Sequence, residues 1–89
     1  MAISNNKVTI TTSPTAIFGP DIDGAYLVLK VSGSKTVYLG NATVTADNGL
    51  EVENEDGPIP MTLGPNEILY GIVEEDTGKI TVLATLNSG

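Results

Sequence analysis

Along residues 7–12, apolar and polar side chains alternate: Val8, Ile10 and Thr12 fall on one side, and Lys7, Thr9 and Thr11 on the other. A two-residue period of this kind predicts a half-buried β-strand, which Pro14 ends. A short Ala16-Ile17-Phe18 piece follows before Gly19-Pro20-Asp21 breaks the chain. Residues 25–32 are apolar on both faces, Ala25, Leu27, Leu29 and Val31 against Tyr26 and Val28, with Lys30 as the one charge. That pattern predicts a central strand covered on two sides. Ser32-Gly33-Ser34 then predicts a hairpin into residues 35–39.

From residue 40 to 60 the pattern weakens. Residues 43–45 and 50–52 are short strand candidates around Asp47-Asn48-Gly49, a sequence that favours a turn with positive φ. Met61-Thr62-Leu63 is another short strand candidate before Gly64-Pro65-Asn66. Residues 67–74 are again apolar on both faces, Ile68, Tyr70 and Ile72 against Leu69 and Val73, and Gly71 marks a bulge or a close backbone approach. Asp76-Thr77-Gly78 is predicted to close a last hairpin, after which Ile80, Val82, Ala84 and Leu86 line one face of an alternating strand. No helical stripe of useful length interrupts this series. Turn signals roughly every eight to twelve residues predict an all-β chain of about seven to eight short strands, a small antiparallel β-sandwich or a jelly-roll-like barrel. One domain is expected over residues 7–86, with residues 1–6 as a flexible N-terminal arm and 87–89 as a flexible C-terminus.

Size and composition add constraints. A chain of 89 residues buries only about 60 to 65% of its unfolded surface. With no cysteine, neither a disulfide framework nor a thiolate metal site adds stability, which leaves oligomerisation as the common remaining route. Eleven acidic residues against four lysines give a net charge of −7, which opposes phosphate backbones and argues against a nucleic-acid partner. No apolar window approaches the roughly 18 residues of a membrane span, and no basic stretch leads into an apolar run at Met1–Lys7, so a soluble chain without a signal peptide or membrane contact is expected.

Candidate chemistry is sparse. With no histidine, the serines Ser4, Ser13, Ser32, Ser34 and Ser88 have no usual general base, and no catalytic residue, metal ligand or cofactor is predicted. The dense carboxylates are Glu51, Glu53, Glu55 and Asp56; glycoside hydrolysis or calcium binding is conceivable there, but alternating acids suit a solvated loop or strand edge better. Asp21-Ile22-Asp23-Gly24 shares part of a calcium loop, yet Gly19 and Lys30 stand where that loop needs an acid and a bidentate glutamate, so a plain turn is expected. Asn41-Ala42-Thr43 fits a glycosylation sequon without a secretory signal. Tyr26, Tyr38 and Tyr70 sit inside apolar strands, which favours packing or subunit contact over a sugar-stacking platform.

Val37-Tyr38-Leu39-Gly40, Val44-Thr45-Ala46-Asp47-Asn48-Gly49, Leu63-Gly64-Pro65-Asn66-Glu67 and Leu69-Tyr70-Gly71-Ile72, in that order, resemble the strand and turn signatures of small virion proteins of tailed bacteriophages. The resemblance covers residues 35–86 and departs at the acidic stretch 51–56. It implies a non-enzymatic β-sandwich that decorates or cements an assembled capsid as a homotrimer, located on the virion surface after synthesis in the host cytoplasm, with the major capsid protein or another virion protein as partner. Tyr26, Val28, Tyr70, Ile72 and Val73 are the expected subunit-contact residues, taken from the second faces of the two most apolar strands. Ala2, Ile3, Ser4, Asn5, Asn6 and Lys7, with Glu51, Glu53, Glu55 and Asp56, are the expected capsid contacts. The alternative expectation is a receptor- or carbohydrate-binding β-module of a tail or fibre.

Overall fold

A computed structural model describes residues 2–86. Eight strands form: β1 (Ala2–Ile10), β2 (Thr15–Phe18), β3 (Ala25–Val31), β4 (Val37–Gly40), β5 (Leu50–Val52), β6 (Ile59–Leu63), β7 (Leu69–Ile72) and β8 (Gly78–Leu86). They make two antiparallel sheets, a long one ordered β1-β8-β3-β6 and a short one ordered β2-β7-β4-β5. The alternating sequence patterns therefore do build a small β-sandwich, and the strand order is that of an eight-stranded jelly roll.

This order has a simple origin in the chain. The strands pair as nested partners, β1 with β8, β2 with β7, β3 with β6 and β4 with β5, through registers such as Ala2↔Leu86, Thr15↔Gly71, Ala25↔Leu63 and Val37↔Val52. The midpoints of these pairs all fall between residues 43 and 45. The protein is thus one long hairpin, folded about the turn at Val44 and then rolled so that its two-stranded ribbon lies alternately in one sheet and the other.

Between the sheets lies the core. Ala25, Leu27, Leu29 and Val31 of β3 and Ile80, Val82 and Ala84 of β8 point inward and meet Ile17, Val37, Leu39, Val52 and Leu69 from the short sheet, with Ile10 at the end of β1 and Val73 just after β7. Gly71, expected to mark a bulge or a close backbone approach, is instead closely approached by side chains: a Cβ there would lie 2.8 Å from Ile17 Cδ1 and 3.3 Å from Val37 Cγ1. Gly24 answers a backbone demand, with φ of +81° and an ideal Cβ position only 2.5 Å from the Leu63 carbonyl oxygen.

Several local expectations need correction. Residues 2–6 are not a loose arm: they form the first half of β1 and pair with residues 82–86. Met1 and residues 87–89 lie outside the described residues. The links at 32–36 and 73–77 do not close hairpins, because β3 and β8 belong to the long sheet while β4 and β7 belong to the short one. β3 already has β8 and β6 as neighbours, with seven and five paired residues, so its backbone needs are met without β4. Residues 43–45 lie in the turn rather than in a strand, and neither Asn48 nor Gly49 has a positive φ; that conformation occurs instead at Asn66 and Asp76 and at three glycines. β3 is central but covered on one side only, since Tyr26 and Lys30 are exposed.

Candidate functional site

Registers place the outward side chains of the long sheet in rows about 4.8 Å apart from strand to strand. Burial alternates along β3, β6 and β8, so the even-numbered residues of β3 and β6 and the odd-numbered residues of β8 face out; residues 3–7 of β1 are all exposed, and its register with β8 sets its odd-numbered residues on that same face. One row runs Ile3, Thr85, Tyr26, Thr62; the next runs Asn5, Leu83, Val28, Pro60; then come Lys7, Thr81 and Lys30, and finally Thr9 beside Lys79.

The face has an apolar end and a basic end. Ile3, Tyr26 and Leu83 are 73%, 46% and 46% exposed, unusually open for side chains of this size. Below them stand Lys7, Lys30 and Lys79, three of the four lysines of the chain. Among the described residues no aspartate or glutamate lies on this face, although the chain has eleven acids. A chain of net charge −7 has thus gathered most of its cations on one surface and kept its acids off it.

The short sheet and its loops are the acidic counterpart. Its outward face carries Tyr38, Tyr70, Ile72 and Glu51. Tyr38 is nearly buried, and its hydroxyl donates to Glu74 Oε1 at 2.8 Å. That hydrogen bond first, then burial, then the negative charge of Glu74, Glu51 and Glu53, pushes the Tyr38 pKa up to about 12. Lys35, the fourth lysine, is paired with Asp76 at 3.2 Å and Glu75 at 3.7 Å.

The acidic stretch, expected as a solvated loop or strand edge, is Glu51 on the edge strand β5 followed by a built turn. Residues Asn54–Asp56 make a 3-10 turn, the Glu53 N–H donates to Asp56 Oδ2 at 2.8 Å, and Asn54 Nδ2 donates to the Val31 carbonyl at 2.8 Å. The Glu55 pKa is raised, chiefly by a hydrogen bond with Glu53 and also by the charges of Glu53 and Asp56. Open grooves of about 310 and 280 Å³ flank residues 34–36 beside this turn and beside Glu74 and Glu75. Asp21–Gly24 is a turn closed on itself by Gly24 N–H to the Asp21 carbonyl at 3.1 Å and Asp23 N–H to Asp21 Oδ1 at 3.0 Å.

This geometry redistributes the residues expected to make contacts. Tyr26 and Val28 lie on the outward face of the long sheet, beside Ile3, Asn5 and Lys7 of the expected capsid-binding segment. Tyr70 and Ile72 lie on the opposite side of the sandwich, and Val73, 2% exposed, belongs to the core. The five proposed subunit-contact residues therefore do not share a surface. Glu51, Glu53, Glu55 and Asp56 are likewise remote from β1, around the edge of the short sheet. Lys79, Leu83 and Pro60 were not singled out from sequence, though the alternation of residues 79–86 already put Lys79 and Leu83 opposite the buried set.

Comparison with protein-family models, with curated proteins and with solved structures found no match to this chain.

Proposed function

We propose that this chain is a non-enzymatic binding protein of an assembled particle, a decoration protein of a tailed-phage capsid, and that it attaches by the outward face of its long sheet. The observation that carries the proposal is the composition of that face: exposed Ile3, Tyr26 and Leu83 beside Lys7, Lys30 and Lys79, with no acid among its described residues. Exposed apolar side chains supply area to bury, and the lysines select an acidic surface and suppress docking on a basic one. Many identical sites on a lattice hold such a protein firmly even when each contact is modest, provided that neighbouring copies are linked. The capsid as partner rests on the resemblance in residues 35–86; jelly-roll order is compatible with it but occurs in unrelated functions. The carbohydrate-binding alternative loses ground because Tyr26 is on one side of the sandwich and Tyr38 and Tyr70 on the other, so no shared stacking platform forms.

Particles purified by density gradient from a lysate in which the chain is made provide the test. The protein is expected on the particles at a fixed ratio to the major capsid protein, and the Tyr26→Ala/Lys30→Glu/Lys79→Glu variant is expected to keep its fold and lose occupancy. Absence of the chain from the particles, or unchanged occupancy of the variant, overturns the reading.

A further inference from the structure

The two sheets have four edge strands, and three of them are closed to a further strand. β5 is three residues long. β2 is four residues long, bracketed by Pro14 and Pro20, and shifts register between Ala16 and Phe18. Short or bulged edges resist strand addition. For β6 the phase of the hydrogen-bond ladder decides. Ser32 N–H donates to the Lys79 carbonyl at 3.0 Å, so even-numbered residues of β3 bond to odd-numbered residues of β8. Alternation then sends the odd-numbered residues of β3 toward Ile59, Met61 and Leu63, and leaves Pro60 and Thr62 facing the open edge. Pro60 sits where an added strand needs a donor.

β1 is built differently. The same alternation carried across β8 bonds the even-numbered residues of β1, and turns the N–H and C=O groups of Ile3, Asn5, Lys7 and Thr9 to the open edge. The Lys7 N–H, on the open side, donates to Asn6 Oδ1 at 3.0 Å, a local bond that an added strand replaces. The strand runs nine residues, with neither a proline nor a register shift.

We propose that β1 pairs antiparallel with β1 of a second copy across a two-fold axis at Asn6, joining two long sheets into one of eight strands. All four open residues find partners only when Ile3 lies opposite Thr9 of the second copy and Asn5 opposite its Lys7. Sliding by two residues either sets Lys7 against Lys7 and strands Ile3, or pairs Asn5 with itself and strands Thr9. The self-complementary register also gives the exposed Ile3 a cross-strand neighbour on the outward face. It joins the acid-free faces of two copies into one surface. This pairing rests on the edge alone and not on the capsid reading.

The chain has no cysteine, so Asn6→Cys tests the axis directly. In the proposed register this side chain meets its own copy across a non-bonded pair, where Cα atoms approach to about 4.5 Å, within disulfide reach. Ser4→Cys faces Val8 of the second copy and serves as the control. Sedimentation equilibrium of the unmodified chain is expected to show monomer and dimer, and Asn6→Cys is expected to oxidise to a covalent dimer about tenfold or more faster than Ser4→Cys. Asn5→Lys sets like charges opposite each other twice and weakens the dimer, while Asn5→Glu strengthens it, each shifting the dissociation constant about two- to thirtyfold. A monomer at millimolar protein, a closed trimer, or equal oxidation rates of the two cysteine variants overturns the proposal.

Discussion

The long and short sheets share one core yet present different exteriors. β1 and β8 run nine residues each and β3 seven, whereas no strand of the short sheet exceeds four. The outward surface of the long sheet is regular and acid-free among the described residues, while the short sheet carries Glu51 on β5 and is hemmed by turns that carry Glu53, Glu55, Asp56 and Glu74. One sheet thus provides a broad, ordered surface; the other closes the core and is surrounded by negative charge. Keeping the acids off the long sheet lets a strongly negative chain retain a basic face.

The largest expected effect comes from the inner side of the long sheet. Leu29→Ala removes a fully buried side chain of β3 and is expected to cost about 2 to 5 kcal/mol in urea unfolding. A cost near that of an exposed position breaks the view that the long sheet carries the core. Next, Gly71→Ala probes how tightly the short sheet is pressed onto it. The added methyl meets Ile17 and Val37 at 2.8 and 3.3 Å, and an overpacking cost of about 1 to 3 kcal/mol is expected in the same assay.

Titration sharpens the contrast further. A tyrosine transition near pH 12 is expected in the ultraviolet titration, and it disappears from that of Tyr38→Phe. Because the folded pKa lies above the unfolded value, the native state keeps this proton longer. Its stabilising share is complete below pH 10 and is lost as pH rises from 10 to about 12. Thermal melts of the native chain should therefore fall more steeply over that window than those of Tyr38→Phe; parallel slopes count against the Glu74 contact. The smallest effect is expected at the acidic turn. A raised Glu55 pKa means that stability falls as pH climbs through the folded value, so Glu55→Gln should melt slightly higher at pH 7 and lose that advantage in acid. A lower melting temperature at pH 7 contradicts this.

Strand content and inward faces were legible in the sequence because alternation is local: Leu27, Leu29 and Val31, like Ile80, Val82 and Ala84, announce their common side within a few residues. Sheet membership was not. Ser32-Gly33-Ser34 and Asp76-Thr77-Gly78 are turn-forming sequences whether the chain turns back in its own sheet or crosses to the facing one, and only the competition for β3 and β8 as partners decides. The basic face was hidden for the same reason. Lys7, Lys30 and Lys79 are scattered in sequence and become neighbours only through the β1-β8-β3 order. Residues 2–6 read as a polar tail because Ser4 and Asn6 replace the apolar residues of a half-buried strand, and backbone pairing to β8 rather than side-chain burial holds them.

The ribbon folded about Val44 also bears on how the chain can be rewired. Its most distant residues in sequence, Ala2 and Leu86, are direct partners, while the turn at 41–49 lies at the far end of the connectivity. A circular permutant that joins Leu86 to Ala2 through a short linker and opens at Asp47 turns β1 and β8 into a local hairpin, and makes β4 and β5 the last strands to find each other. The same jelly roll is then reached with its zippering order reversed, so the two chains differ in folding route while sharing a destination.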